Sequence, residues 1–221
     1  MSNYFSQIPN FEYVSRLPDA KISDYITVKN LFKRGILRED IFQNLAFFTK
    51  YQIKGNDRPD NVAFEFYNNS NLDWLVLVCN NIINIQTEWP LTQTDFEGYL
   101  IEKYGDSETV YGGIHHYETN EVKNTSGAVI VPAGLQVESN YTCSYYDSRL
   151  KQLINTSSVR AVTNYEYESE LENNKRNIFL LKSKYINVVR DDIEDMMTYK
   201  KGSTQYKSRT LKTADNIRLF E

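Results

Sequence analysis

YQIKGNDRPDNVAFEFYNNSNLDWLVLVCNNIINIQTEWPLTQTDFEGYLIEKYG, residues Tyr51 to Gly105, holds the densest apolar patterning of this 221-residue chain, with two of its five prolines and both tryptophans. Tyr51-Gln52-Ile53-Lys54 alternates as a strand does and closes at Gly55. After the polar turn Asn56-Asp57-Arg58, Pro59 falls at a first helical position, where its missing N–H would have had no partner anyway. Asp60 sets a negative charge against the positive end of that helix. Val62, Ala63, Phe66 and Tyr67 then recur at helical spacing and predict one buried stripe. Asn68-Asn69-Ser70-Asn71 breaks the helix, with Asn71 or Ser70 suited to cap the next. From Leu72 to about Cys79 only Asp73 is polar. A helix apolar all round needs cover on several sides, so this one is expected at the centre of the core. Asn80-Asn81 ends it, and Ile82, Ile83 and Ile85 form a short β-branched run before Trp89-Pro90.

Downstream, Thr92-Gln93-Thr94-Asp95 has capping-box spacing, and Phe96, Tyr99, Leu100 and Tyr104 follow at helical intervals up to a stop at Gly105. Val110-Tyr111, Ile114 to Tyr117, Ala128 to Val131, Leu135 to Val137 and Tyr141 to Tyr146 read as short strands of an antiparallel β insert, with 148–162 as a connector. Thr163 to Glu166 repeats the capping-box spacing ahead of a polar, exposed helix reaching Lys175. Ile178 to Leu181 is one more strand, and Val189, Ile193, Met196 and Met197 form a last helical stripe. The tail from Lys200 carries six basic residues against two acidic ones and predicts little structure of its own.

Upstream, residues 25–50 start β-like and turn helical after Arg38-Glu39-Asp40, with Ile41, Leu45 and Phe48 on one face. Residues 1–24 carry apolar groups between two prolines and read as an extended arm. That arm either packs across its own domain or docks on another protein. The chain thus divides into 1–50, 51–105, 106–162 and 163–221, an α+β architecture.

Composition narrows the function. A net charge of −4 gives no basic field for nucleic acid, and no apolar run is long enough to span a membrane. Two cysteines, Cys79 and Cys143, make no disulfide framework and suit a reducing cytosol. Seventeen tyrosines supply apolar area with a polar tip, which suits protein–protein surfaces or the edges of a core. His115 and His116 are adjacent on a strand and are expected to face opposite ways, so no shared metal ion is predicted. Asp191, Glu194 and Asp195 point away from the Val189-Ile193 stripe and read as a solvated face. No nucleophile elbow, phosphate loop or dinucleotide fingerprint occurs, so no catalytic, cofactor-binding or metal residue is assigned.

Strand, turn, helix, polar break, helix and extended piece is also the order of a LysM module, a small βααβ fold. Tyr51, Ile53, Gly55, Val62, Ala63, Phe66, Tyr67, Leu72, Leu75 and Asn80 meet its pattern. Asn56-Asp57-Arg58-Pro59 and Trp89-Pro90 depart from it on the loops that hold glycan in sugar-binding members. The longer string FFTKYQIKGNDRPDNVAFEFYNNSNLDWLVLVCNNI, followed by EWPLTQTDFEGYLIEKYG, resembles the baseplate wedge subunit of T-even-like contractile-tailed phages. The likeness extends over most of the chain and is weakest between about 110 and 160.

That resemblance implies a non-enzymatic virion component of the tail baseplate, present in multiple copies and assembled in the host cytoplasm. It implies clamping of adjacent wedges around the central hub. Other wedge subunits and the sheath initiator are the implied partners, with central hub proteins as a further candidate, and neither nucleic acid nor membrane. On this reading Tyr51, Ile53, Val62, Phe66, Trp74 and Leu75 form the LysM-like core. Phe5, Phe11, Tyr13, Trp89, Tyr206 and Phe220 are the contact candidates, and deleting residues 1–24 should block assembly while leaving the core folded. The alternative is a peptidoglycan-binding module that uses Asn56 to Arg58 and the loop from Asn80 to Ile85.

Overall fold

Turn chemistry cuts the chain into short elements, and the computed structural model, which describes residues 4–21, 23–202 and 205–213, arranges them as an α+β fold of small sheets. In chain order these are α1 (Tyr4–Gln7), β1 (Asn10–Val14), β2 (Tyr25–Lys29), α2 (Glu39–Phe42), β3 (Phe48–Gln52), α3 (Pro59–Tyr67), α4 (Asp73–Cys79) and α5 (Ile85–Glu88). There follow α6 (Gln93–Tyr104), α7 (Ser107–Gly112), β4 (Ile114–Thr119), β5 (Val122–Lys123), β6 (Val129–Val131), β7 (Gln136–Val137), β8 (Cys143–Asp147), β9 (Gln152–Thr156) and β10 (Val159–Thr163). The chain closes with α8 (Asn164–Lys175), β11 (Asn177–Leu181), α9 (Ile186–Met197), β12 (Tyr206–Ser208) and β13 (Leu211–Thr213). Two compact units result: Met1–Trp89 with Asn177–Glu221, and Pro90–Arg176. The division between the units falls after Trp89 and after Arg176.

In the first unit β3 pairs antiparallel with β11, from Phe48 opposite Leu181 to Gln52 opposite Asn177. Helix α3 packs on α4, and α4 on β11. Leu75, Val76, Val62, Leu180 and Leu181 are fully enclosed between them, and α9 adds Val189, Ile193 and Met197. Burial of this apolar surface, at about 25 cal/mol per Å², is the main force holding the unit.

Several expectations change here. The helix expected through Ile41, Leu45 and Phe48 stops after one turn, because the Asn44 side chain accepts the Ala46 N–H at 3.0 Å and diverts the backbone. Phe48 begins β3 instead, so the strand starts before Tyr51 and ends before Ile53. Neither Ser70 nor Asn71 caps α4, which starts after Leu72 with no side-chain cap; Asn69 instead caps the single 3-10 turn Ser70–Leu72 that leads into it, accepting the Asn71 N–H. Ile82, Ile83 and Ile85 make no strand. The Glu88 carboxylate accepts the Ile83 and Asn84 N–H groups at 2.5 and 2.8 Å and folds them into the turn of α5.

The tail is also more ordered than its composition suggests. β13 pairs parallel with β1, and the sheet runs β12-β13-β1-β2. Glu12 on β1 draws the tail in, accepting from Thr213 Oγ1 at 3.0 Å and forming an ion pair with Lys207. In α9 Val189, Ile193 and Met197 are buried, but Met196 is exposed. Lys33 caps this helix, its ammonium reaching the carbonyls of Met196, Met197 and Thr198 at 2.9–3.1 Å. Burial pushes the Lys33 pKa down, and Lys212 and Lys200 add to the effect.

In the second unit Thr92 caps α6 by accepting the Asp95 N–H, while the Asp95 carboxylate takes the Thr92 hydroxyl instead of a backbone N–H. Gly105 ends the helix at φ +92°. Val110-Tyr111 is helical, not a strand, because Asp106 accepts the Thr109 N–H at 2.7 Å and starts α7. Val110 then packs with Phe96 and Leu100. β4 lies between β10 and β7, while β5 with β6 and β8 with β9 form separate two-stranded pairs. The expected connector 148–162 holds β9 and all of β10 but its last residue, Thr163. Thr163 and Glu166 form the expected capping box.

Candidate assembly surfaces

In the two loops that a glycan-binding module would use, Asn56, Arg58, Asn81, Ile83, Asn84 and Ile85 are exposed, whereas the Asp57 carbonyl and the Asn80 side chain are engaged within the fold. Trp89 Nε1–H donates to the Asp57 carbonyl at 3.0 Å, pinning the Asn56–Arg58 turn. Asn80 meets the backbone of Phe179 on β11 as a strand neighbour would, accepting its N–H at 2.8 Å and donating to its carbonyl at 2.9 Å. A third bond from Asn80 reaches the Val76 carbonyl. Ile53, Val62, Trp74 and Leu75 are buried. Tyr51 and Phe66 lie at the core's edge, ring against ring, and the Tyr51 hydroxyl donates to Glu65 at 2.5 Å. Burial raises the Tyr51 pKa above its ordinary value, and Glu65 reinforces it.

Of the contact candidates, Phe5 is exposed, and Phe11, Tyr13 and Tyr206 are half-buried in the β12-β13-β1-β2 sheet. Trp89, expected at a contact surface, is 6% exposed and packs in the core, with its indole N–H donated to the Asp57 carbonyl. Phe220 lies outside the described residues.

More exposed apolar surface lies on β2 and the turn that follows it. All five residues of β2 are exposed, and among the described residues β2 is an edge of its sheet. Just beyond it Leu31 is 70% and Phe32 99% exposed. Asn30 holds this turn, accepting the Phe32 N–H at 3.2 Å and donating to the Tyr199 hydroxyl at 2.8 Å. An open edge beside bare apolar side chains is what a strand-adding or surface-docking partner uses. The available signal was the pair Leu31-Phe32 between Asn30 and Lys33, apolar residues with no periodic neighbours. A second accessible feature is a groove of about 630 Å³, lined by Tyr4, Phe5, Trp74, Leu77, Ile82 and Ile83 among others. Trp74 Nε1–H is buried beside it with no acceptor among the described residues.

The second unit holds charge where the sequence suggests solvent. Glu168 on α8 is 4% exposed and accepts from Lys103 Nζ at 2.6 Å, Tyr104 at 2.8 Å and Tyr99 at 3.3 Å. Burial works to raise its pKa, but the bonds from Lys103 and Tyr104 prevail and hold it below the usual carboxylate range. Glu172, one turn on, accepts the Leu91 N–H and pairs with Lys175. Asp147 accepts from Thr125, Arg149 and Leu150, with the Thr125 N–H as the chief cause of a pKa lowered to about 2. Burial drives the Cys79 thiol in the first unit up to about 12, so it behaves as a small hydrophobe. His115 and His116 do not face apart as alternation predicts; their Nδ1 atoms approach to 2.9 Å. Asp191, Glu194 and Asp195 are exposed as expected. Among the described residues no three His, Cys, Asp or Glu side chains are grouped to hold a metal ion, and no helix is long and apolar enough to cross a membrane.

A buried apolar core beneath an open sheet edge and bare apolar side chains is the equipment of a protein that works by joining others. The chain belongs to the phage family described as base plate wedge protein 53, whose family model it matches over residues 4–200. It is therefore a structural baseplate protein of the phage tail, a component of the virion that assembles with other baseplate components. No curated protein matches the chain.

Proposed function

We propose that this protein clamps neighbouring wedges together around the central hub during baseplate assembly, using the β2 edge and the Leu31-Phe32 turn as its principal contact. The observation that carries this reading is Phe32, fully solvent-facing on a turn that Asn30 holds in place. An ordered, bare aromatic beside an unpaired strand edge costs solubility unless a partner covers it. Other wedge subunits, the sheath initiator and hub proteins are the proposed partners, in multiple copies, with assembly in the host cytoplasm. The groove beside Trp74 supplies a second seat, offering apolar walls and one unused N–H donor.

A LysM-like core is part of this proposal. β3, α3, α4 and β11 come in βααβ order, with α5 and residues 90–176 lying between α4 and the last strand. Asn80 and the Asp57 carbonyl, at the two loops a sugar would need, are committed to Phe179 and Trp89. That supports a scaffold role over peptidoglycan binding.

Removing residues 1–24 is a poor test, because Ile8 is in the core and β1 is an inner strand of its sheet. A paired sedimentation assay on the intact chain is better, one tube holding insoluble peptidoglycan and the other wedges made without this protein. Co-sedimentation with wedges alone is expected. Binding to peptidoglycan alone would overturn the proposal.

A further inference from the structure

One face of the β12-β13-β1-β2 sheet combines apolar side chains with cations that have no counter-charge. Register places Tyr206, Lys212, Phe11 and Val28 side by side across the four strands. Tyr13 pairs with Ile26 two residues on, so alternation sets all six side chains on the same face. Ile26 is 46% and Val28 39% exposed, and the other four are half-buried. Cations stand at both ends of this face. The Arg16 guanidinium lies 5.4 Å from the centre of the Tyr13 ring, and the Lys33 and Lys212 ammoniums lie 4.9 and 5.2 Å from that of Tyr199. Lys200 follows Tyr199 directly and, with Lys212, is close enough to add to the lowering of the Lys33 pKa by burial. Glu12, the acid of β1, alternates to the opposite face and is paired with Lys207. Among the described residues no carboxylate lies within ion-pair distance of Arg16, Lys33, Lys200 or Lys212.

Helix α9 carries the opposite sign. Val189, Ile193 and Met197 face the core. At about 3.6 residues per turn, Val188, Asp191 and Asp195 fall on the other side, with Glu194 beside them. All four are exposed, and among the described residues no cation pairs with the three acids. Glu194 and Asp195 also sit in the last turn of α9, where the negative end of the helix dipole disfavours an acid. Each surface thus leaves charge uncompensated beside apolar area in water, and the two signs are opposite. Complementary patches of this kind steer association and fix its register.

We propose that they are the two halves of a contact between copies of this chain, the basic, apolar sheet face of one copy seated on the acidic outer face of α9 in the next. The halves are different surfaces, so the contact is heterologous. Successive copies close into a ring or run on as a chain according to the rotation between them. The contact uses the face of the sheet and leaves the β2 edge to other baseplate proteins.

The test is sedimentation velocity of the full chain alone over a range of concentrations. Self-association is expected, weakened at least about tenfold as salt rises from about 0.1 M to about 1 M and the screening length falls from about 10 Å to about 3 Å. The double variants Arg16→Glu, Lys200→Glu on the sheet side and Asp191→Lys, Asp195→Lys on α9 should each be a monomer, and folded by circular dichroism because all four side chains are exposed. Mixed in equal amounts, the two double variants should associate again, since each offers the sign the other lacks. A parent chain that stays monomeric at every concentration, association that survives either reversal, or a mixture that stays monomeric would overturn the proposal. So would a monomeric parent whose sheet-side reversal blocks co-sedimentation with wedges, which would give the face to another baseplate protein. No wedge is present in the self-association assay, so its failure is distinct from failure of the wedge-joining reading.

Discussion

The two units bury different things. In the first, α4 and β11 enclose Leu75, Val76, Leu180 and Leu181 in an apolar cluster reaching from Ile8 to Met197. In the second, the apolar cluster is Phe96, Leu100 and Val110, and α8 turns Asn164, Glu168 and Glu172 inward beside it. An apolar core tolerates neighbours of many shapes, whereas a buried carboxylate demands donors at fixed points. The first unit is therefore held by area and the second by a few specific bonds. The loss on mutation and the response to acid should differ accordingly.

The largest effect is expected from Leu75→Ala. The side chain is fully buried and its neighbours cannot all collapse, so a loss of about 2–5 kcal/mol is predicted from urea unfolding of the intact protein. A loss near 0.5 kcal/mol would mean that α4 is not the centre of the core. Glu168→Gln should cost less, about 1–3 kcal/mol, because charged hydrogen bonds are exchanged for weaker ones while Lys103 stays partly in water. Its footprint should be confined to amides of residues 90–176 in hydrogen exchange. Loss of protection at β3 and β11 instead would break the distinction between the units.

Acid sharpens the comparison. Glu168 and Asp147 both titrate lower in the fold than in the unfolded chain, Asp147 at about 2. Their contribution is complete above the unfolded carboxylate range, near pH 4, and is lost as pH falls through the folded values. Between pH 4 and pH 2 the second unit should lose exchange protection before the first, and Asp147→Asn should flatten that dependence. Simultaneous loss in both units would contradict it. The smallest effect is Thr163→Ala, which removes one half of the α8 capping box for about 1 kcal/mol.

The same contrast governs what could be read from the sequence. α3 and α4 were legible because Pro59 opens the one, Asn68 closes it, and apolar spacing marks the faces they bury. Thr163 announced α8, but its buried face was not legible, since Glu168 and Glu172 at four-residue spacing look the same whether donors or water satisfy them. The pairing of β3 with β11 joins strands separated by the whole second unit, and no local pattern carries that information. The meeting of His115 and His116 was hidden for a similar reason: alternation is read from one strand, and β4 has a bulge in its register with β10. Among the contact candidates, Trp89 was not legible as a core residue because the acceptor of its indole N–H, the Asp57 carbonyl, lies 32 residues away in the sequence. Phe32 was missed because an isolated apolar residue has no period.

The proposal that the protein acts through the β2 edge is tested most directly by complementation with the Leu31→Ser, Phe32→Ser double variant. Both side chains are solvent-facing, so the isolated variant should unfold at the same urea concentration as the parent. Supplied to an infection lacking the native protein, it should leave wedges unjoined, with completed baseplates reduced at least tenfold by sedimentation. Completed baseplates at the parental level would contradict the account.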